Sequence, residues 1–202
     1  MEVDGAQELG TPDRRVRRSR AALMAAAVRL VSERGTTAIP VTDLAEAADV
    51  SRRLVYLQFG DGDTLLLEAA VDLIRRELLA QSGDGTAVVE GVLAMARHFA
   101  GHRSFYRAML TGSCAFAMTR ALDNLFGSQN EQVVREQFGE LDEDTARDLA
   151  AFVAGGTGAV VNEWLINGAD PLEPQVLADR LLRLWAVFAG DRTTLATRGH
   201  DQ

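Results

Sequence analysis

Arg52, Arg53, Tyr56 and Gln58 are side chains of the types that grip or read nucleic acid. Arginine pairs with the O6/N7 edge of guanine or with phosphate, tyrosine donates its hydroxyl to phosphate, and glutamine reads adenine. Their spacing places them on the outer side of one short helix, whose inward partners include Leu54, Val55 and Phe59. Leu54 or Leu57 is also placed to touch a thymine methyl. Thr42, on a preceding helix, is an expected phosphate contact. Ser51 is expected to cap the helix that opens at Arg52. The charge distribution points the same way. Residues 14–60 carry nine arginines against four acids, whereas residues 61–202 carry twelve against twenty-one, within a chain of net charge −8. A basic head on an acidic body can meet phosphates while the body keeps the protein soluble and repels the duplex. All 21 basic residues are arginine, which reads as genomic codon bias rather than function.

Other chemistry has little provision. Cys114 is the only cysteine, which excludes an intrachain disulfide and a thiolate metal cluster, and it reads as a small buried apolar residue. His98 and His102 stand four apart, a spacing that suits a metal on a helix. Gly101, however, is expected to end the helix between them, and no acid lies at metalloprotease spacing. No catalytic residue, metal site or cofactor is expected.

The elements that position these residues are all helical. A leader over residues 1–13 is expected to be disordered, with Gly5, Gly10 and Pro12 and no apolar periodicity. A helix over about 15–34 carries Leu23, Ala26, Ala27, Leu30 and Val31 on one face and stops at Gly35. Pro40 suits the first turn of a second helix, 41–48. Asp49-Val50-Ser51 makes a tight turn into a third helix, 52–59, because Asp tolerates left-handed backbone. Gly60-Asp61-Gly62 leads to a fourth over about 64–80, with a polar break at 81–85. Further helical patterns cover about 86–100, 103–111, 114–138, 143–168 and 173–189. The expected fold is all-α, with a helix-turn-helix DNA-binding domain over 14–62, a linking helix over 63–80 and a larger helical domain over 81–202. No apolar run approaches the ~20 residues that cross a bilayer. The acidic start is unlike a signal peptide, so the chain reads as cytoplasmic, with no membrane contact.

Residues from about Ser19 to Leu67, a quarter of the chain, resemble the TetR family of bacterial repressors. The likeness rests on Ala-Ala-Val-Arg-Leu-Val-Ser-Glu-Arg-Gly (26–35), Val41-Thr42-Asp43-Leu44-Ala45, Ala47-Ala48, Val50-Ser51-Arg52, Tyr56, Phe59 and Leu65, in ungapped order. The chain departs from the pattern in several places. The turn position usually held by Gly is Asp49. A small residue early in the third helix is replaced by Arg53. Leu57-Gln58 stand where an aromatic or His is usual. Gly62 replaces the phosphate-holding Lys that commonly opens the fourth helix, a loss for which the arginines at 14–20 are candidates to compensate.

The resemblance implies a homodimer built on the last two long helices, binding a near-palindromic double-stranded DNA operator. Stripes of Leu149, Val153, Gly156, Val160 and Trp164, and of Leu177, Leu181, Leu184 and Phe188, are the candidate interface. The small residues 154–159 suit close helix approach, a reading favoured over a simple kink in the helix or room for a ligand. A pocket for a small apolar effector is expected among helices 5 to 8. Its candidate wall is Met95, Phe99, Phe105, Tyr106, Met109, Phe116, Met118 and Trp164, with His98, His102, Asn162 and Glu163 to orient a polar group. The expected function is a ligand-responsive repressor. A helical adaptor that does not bind DNA and, more remotely, a small helical enzyme are the alternatives.

Overall fold

The computed structural model describes residues 10–78, 88–188 and 190. These form α1 (Gly10–Arg34), α2 (Val41–Ala47), α3 (Arg52–Phe59), α4 (Gly62–Glu77), α5 (Val88–Gly101), α6 (Arg103–Thr111), α7 (Ala115–Phe138), α8 (Glu143–Asn167) and α9 (Pro174–Phe188), with no strand among the described residues. The periodicity therefore located every described helix to within a few residues. The largest difference is at α1, which reaches back to Gly10 and takes in the last residues of the expected leader. The rest of that leader, the break at 81–85 and His200 lie outside the described residues.

The head forms because three short amphipathic stripes meet a longer one. Leu23, Ala27, Leu30 and Val31 of α1 pack with Leu44 and Ala45 of α2, Val55 and Phe59 of α3, and Leu65, Leu66, Ala69 and Ala70 of α4. Gly35 ends α1 at φ +64°, donating its N–H to Val31 O at 2.9 Å, a left-handed closure that favours glycine. Asp49 adopts φ 53° in the α2–α3 turn, as expected of an Asp there. Pro40 is the N-cap residue of α2 rather than part of its first turn.

The same core continues without interruption into the body, through Leu73 and Ile74 of α4 to Phe99, Phe105, Tyr106 and Met109. There α8 lies against α7 and α6, and α9 lies mainly on α5. Arg103 fastens the far end of α8, donating to the carbonyls of Leu165 (3.2 Å), Gly168 (2.6 Å) and Ala169 (3.2 Å) and so satisfying groups that a helix end leaves open. By length and composition alone α8 is apolar enough to cross a bilayer, contrary to the expectation from the sequence. Val, Leu, Ile and Ala supply most of that apolarity, and Asn162 and Glu163 interrupt it.

Two stripes are corrected by the packing. Leu177 and Leu181, expected on the dimer surface, are buried within the protomer, and so is Trp164. The outer face of α8 instead runs through Ala151, Phe152, Gly155, Gly156 and Ala159, all exposed, while Leu149, Val153 and Val160 flank it half-buried.

Candidate nucleic-acid interface

α2 and α3 form a bent pair around the Asp49 turn, closed by Val50 N–H to Ala45 O at 2.9 Å. Ser51 caps α3, its side chain accepting from Leu54 N–H at 3.3 Å. Val55 and Phe59 anchor the inner face of α3 in the core, so the opposite face is left to solvent. That face carries Arg52, Arg53 and Tyr56, and Leu57 beside them is 77% exposed. Leu54 is half-buried at the edge of this surface.

Electrostatics sharpen the reading of the two arginines. Neither makes an ion pair or hydrogen bond among the described residues, and the first turn of α3 holds no acid. Two cations at a helix N-terminus oppose the macrodipole, an arrangement unfavourable by about 0.3–1 kcal/mol per charge. They bring the fold nothing at that place, whereas they suit an external anion.

Two other sequence candidates are engaged internally. Gln58 is half-buried and donates from Nε2 to Ser19 Oγ at 3.2 Å, which ties α3 to α1 rather than leaving the amide free to read a base. Thr42 is exposed, but its hydroxyl donates to Asp43 Oδ1 at 3.2 Å. The hydrogen bond from Arg34 to Asp43, at 2.6 Å, is the main influence holding that carboxyl below its ordinary range. The basic cluster at the start of α1 also divides. Arg20 lies over the Phe59 ring at 4.3 Å, donates to Gln58 O at 3.1 Å and pairs with Glu68, so it fastens α1 to α3 and α4. Arg14, Arg15, Arg17 and Arg18 are exposed on the same helix. At Gly62 a Cβ would meet only Val41 Cγ2, at 3.5 Å, so space does not dictate the glycine there.

A second feature lies in the body. A partly open cavity of about 130 Å³ is bounded by α5, α6, α7 and α8. Of the expected wall, Met95, Phe99, Tyr106, Met118 and Asn162 line it. Phe105, Met109 and Trp164 are core residues elsewhere, and Phe116 is 75% exposed in the first turn of α7. The signal missed was smallness: Ala154, Thr157 and Gly158 open the α8 side, and Leu110, Leu122 and Phe126 complete the lining. The run at 154–159 faces both ways, with Gly155 and Gly156 exposed and Ala154 and Gly158 lining the cavity. Burial, helped by the negative charge of Glu77, raises the pKa of the Tyr106 hydroxyl and keeps it protonated beside the cavity.

Head and body meet at a small polar joint. Thr37, buried in the α1–α2 loop, lies 3.4 Å from Ser113 Oγ, and Ser113 donates to Asp63 at the start of α4 at 3.3 Å.

Comparison with known proteins agrees with this architecture. Residues 23–74 match the family model described as bacterial regulatory proteins, tetR family. No curated protein matches the chain. Among solved structures it is similar to the dihydroxyacetone kinase operon activator DhaS, with TM-score 0.64 and 16% identity over 85% of this chain and 96% of that one. It is also similar to NalD of Pseudomonas aeruginosa, the secondary repressor of the MexAB-OprM multidrug efflux pump, with TM-score 0.52 and 18% identity over 83% of this chain and 96% of that one. At such identities the likeness is one of fold, while the family match covers the helices that carry the exposed arginines. Residues 23–74, which hold α2, α3 and most of α4, are thus similar to the amino-terminal module of the bacterial regulatory proteins of the tetR family.

Proposed function

We propose that the chain is a cytoplasmic, ligand-responsive transcriptional repressor that binds a near-palindromic operator as a homodimer. The observation that carries this reading is the outer face of α3. Arg52, Arg53 and Tyr56 project from a helix that is itself fixed in the core by Val55 and Phe59. A helix so presented fits the major groove, and two copies about 34–36 Å apart would meet successive turns of one duplex.

Support for the dimer comes from the exposed apolar face across α8 and α9. Phe152 (68% exposed) stacks on Phe188 at 5.8 Å, and Leu184 and Val187 lie half or more exposed nearby. Gly155 and Gly156 let a partner helix approach closely along α8. An effector is supported by the cavity. It is mostly apolar, with Asn162, Asp123 and Thr157 as polar points in its wall. At about 130 Å³ it is smaller than common drug-sized pockets, which start near ~300 Å³. The effector is therefore a small apolar molecule, or one that enters as α7 shifts. Binding would favour a state whose two heads are wrongly spaced for DNA.

Selection of bound duplexes from a random pool tests the whole reading. A repressor of this kind returns a two-fold related sequence whose binding weakens steeply with salt. Return of no enriched sequence would leave the adaptor reading in its place.

A further inference from the structure

Apart from the arginine face and the cavity, one group of side chains has the make-up of a metal site. Glu77 lies in the last turn of α4, and His98 near the end of α5. His102 N–H donates to His98 O at 3.2 Å, so helical register runs through Gly101 and the two rings fall side by side, centroids 5.1 Å apart. α5 ends at Gly101, as the sequence leads one to expect, yet this break does not part the two rings, and the carboxylate missing from local spacing arrives from another helix. Glu77 Oε2 lies 2.7 Å from His102 Nε2 and 3.3 Å from His98 Nδ1, and the three donor atoms are all within 4.8 Å of one another. The His98 side chain is only 4% exposed. Its Nε2 pairs with the Tyr106 hydroxyl at 2.8 Å, whereas its buried Nδ1 faces Glu77 Oε2 at 3.3 Å without completing a well-aligned hydrogen bond. A buried ring nitrogen left in that state calls for a partner.

We propose that Glu77, His98 and His102 hold a divalent transition cation of the zinc class. Two imidazole nitrogens and one carboxylate oxygen are a zinc ligand set that leaves a fourth position for water. Donors around a tetrahedral ion with bonds of about 2.0–2.2 Å stand about 3.3 Å apart, so Glu77 has to draw back from His102 by only about half an ångström. With Nδ1 on the ion, His98 Nε2 carries the proton and donates it to Tyr106 Oη, an outer partner that fixes the ring. Phe99 and Phe105 pack edge-on against Tyr106, at centroid distances of 4.7 and 5.3 Å, and fix that partner in turn. A set dominated by imidazole discriminates against magnesium and calcium. The ion would join the end of α4 to the end of α5.

The test uses the full-length, tag-free chain stripped with a chelator and titrated with Co²⁺ alone, then with Zn²⁺. Visible absorption of a tetrahedral cobalt site should saturate at one ion per protomer, be displaced by Zn²⁺, and resist excess Mg²⁺. His102→Ala and Glu77→Gln alter partly exposed side chains, and their folding is checked by circular dichroism. Each should lose the cobalt spectrum. Tyr106→Phe keeps all three donors and should weaken Zn²⁺ binding by about 10–100-fold. His200→Ala, which removes the histidine outside the cluster, should bind as the unaltered chain does. Absence of a stoichiometric cobalt spectrum, or equal Zn²⁺ affinity in folded His102→Ala and Glu77→Gln, overturns the proposal. None of these readouts involves DNA.

Discussion

Replacing both Arg52 and Arg53 by alanine separates what these residues do for DNA from what they do for the fold. Both are exposed, neither has an ion-pair partner among the described residues, and both stand in the first turn of α3, where no acid offsets them. Removing two cations from a helix N-terminus relieves about 0.3–1 kcal/mol each at most. For a chain of this size 1 kcal/mol moves Tm by roughly 2–4 °C, so the double variant should melt at the same temperature or a few degrees higher. DNA binding should move the other way. If the arginines meet phosphates, a dimer loses four contacts and its log K against log salt slope flattens by about 3.6. If one of them reads a guanine in each half-site, the loss is about 2–6 kcal/mol, from ~30-fold to ~10⁴-fold, and falls on the selected operator rather than on a scrambled duplex. Fluorescence anisotropy on both duplexes at several salt concentrations, with thermal melting of the same samples, yields all three quantities. Unchanged affinity would remove α3 as the reading element. A melting temperature lowered by more than a few degrees would show that the arginines are built into the fold, and the reasoning from the helix dipole would be wrong.

Four other outcomes follow from the same geometry. Gly62→Lys should raise affinity for any duplex and steepen the salt slope by about 0.9 per subunit, since a side chain fits there with only ordinary contact at Val41; anisotropy with non-specific DNA measures it. Gly112→Ala should destabilise the chain by about 1–3 kcal/mol in denaturant unfolding, because its Cβ would overlap Thr37 Oγ1 and come within 2.9 Å of the Ala108 carbonyl. Phe152→Glu should weaken self-association by about 2 kcal/mol or more, ~30-fold, in sedimentation equilibrium, while the monomer keeps its helicity. Cys114 is buried and its thiol pKa is raised by that burial, so a thiol reagent at mildly alkaline pH should label it much more slowly than a free cysteine until denaturant is added.

The helices were legible because their signals are local. Apolar spacing, the Ser51 cap, the left-handed Asp49 turn and the stop at Gly35 each act within a few residues, and the structure realises each of them. What a helix faces is not local. Leu177 and Leu181 look from the sequence like half of an interface stripe, yet α9 turns them onto α5, and only tertiary packing decides that. Gln58 has the chemistry of a base reader, but Ser19, 39 positions earlier, claims its amide. The cavity wall was sought among large, soft side chains and is set as much by Ala154 and Gly158, since a void is made where volume is lacking. Glu77 joins His98 and His102 only because α4 and α5 end side by side, which no spacing in the chain records.

The position of the cavity bears on how a signal could leave it. α6 contributes Tyr106 and Leu110 to the cavity wall and ends at Gly112, whose Cα is so close to Thr37 that no side chain fits between them. Thr37 belongs to the loop that delivers α2, and the neighbouring Ser113 reaches both Thr37 and Asp63 at the root of α4. A close-packed interior cannot absorb an enlarged cavity by compression, so a displaced α6 must push on this joint. The head has little freedom to yield internally, because Arg20 and Gln58 lock α1, α3 and α4 together. On the proposed reading, displacement at Gly112 would rotate the head as a unit instead of deforming α3, and would alter the spacing between the two heads of a dimer while leaving each recognition surface intact. Saturating effector should accordingly weaken binding to a full operator much more than binding to an isolated half-site, and equal weakening of both would mean that the signal reaches α3 itself.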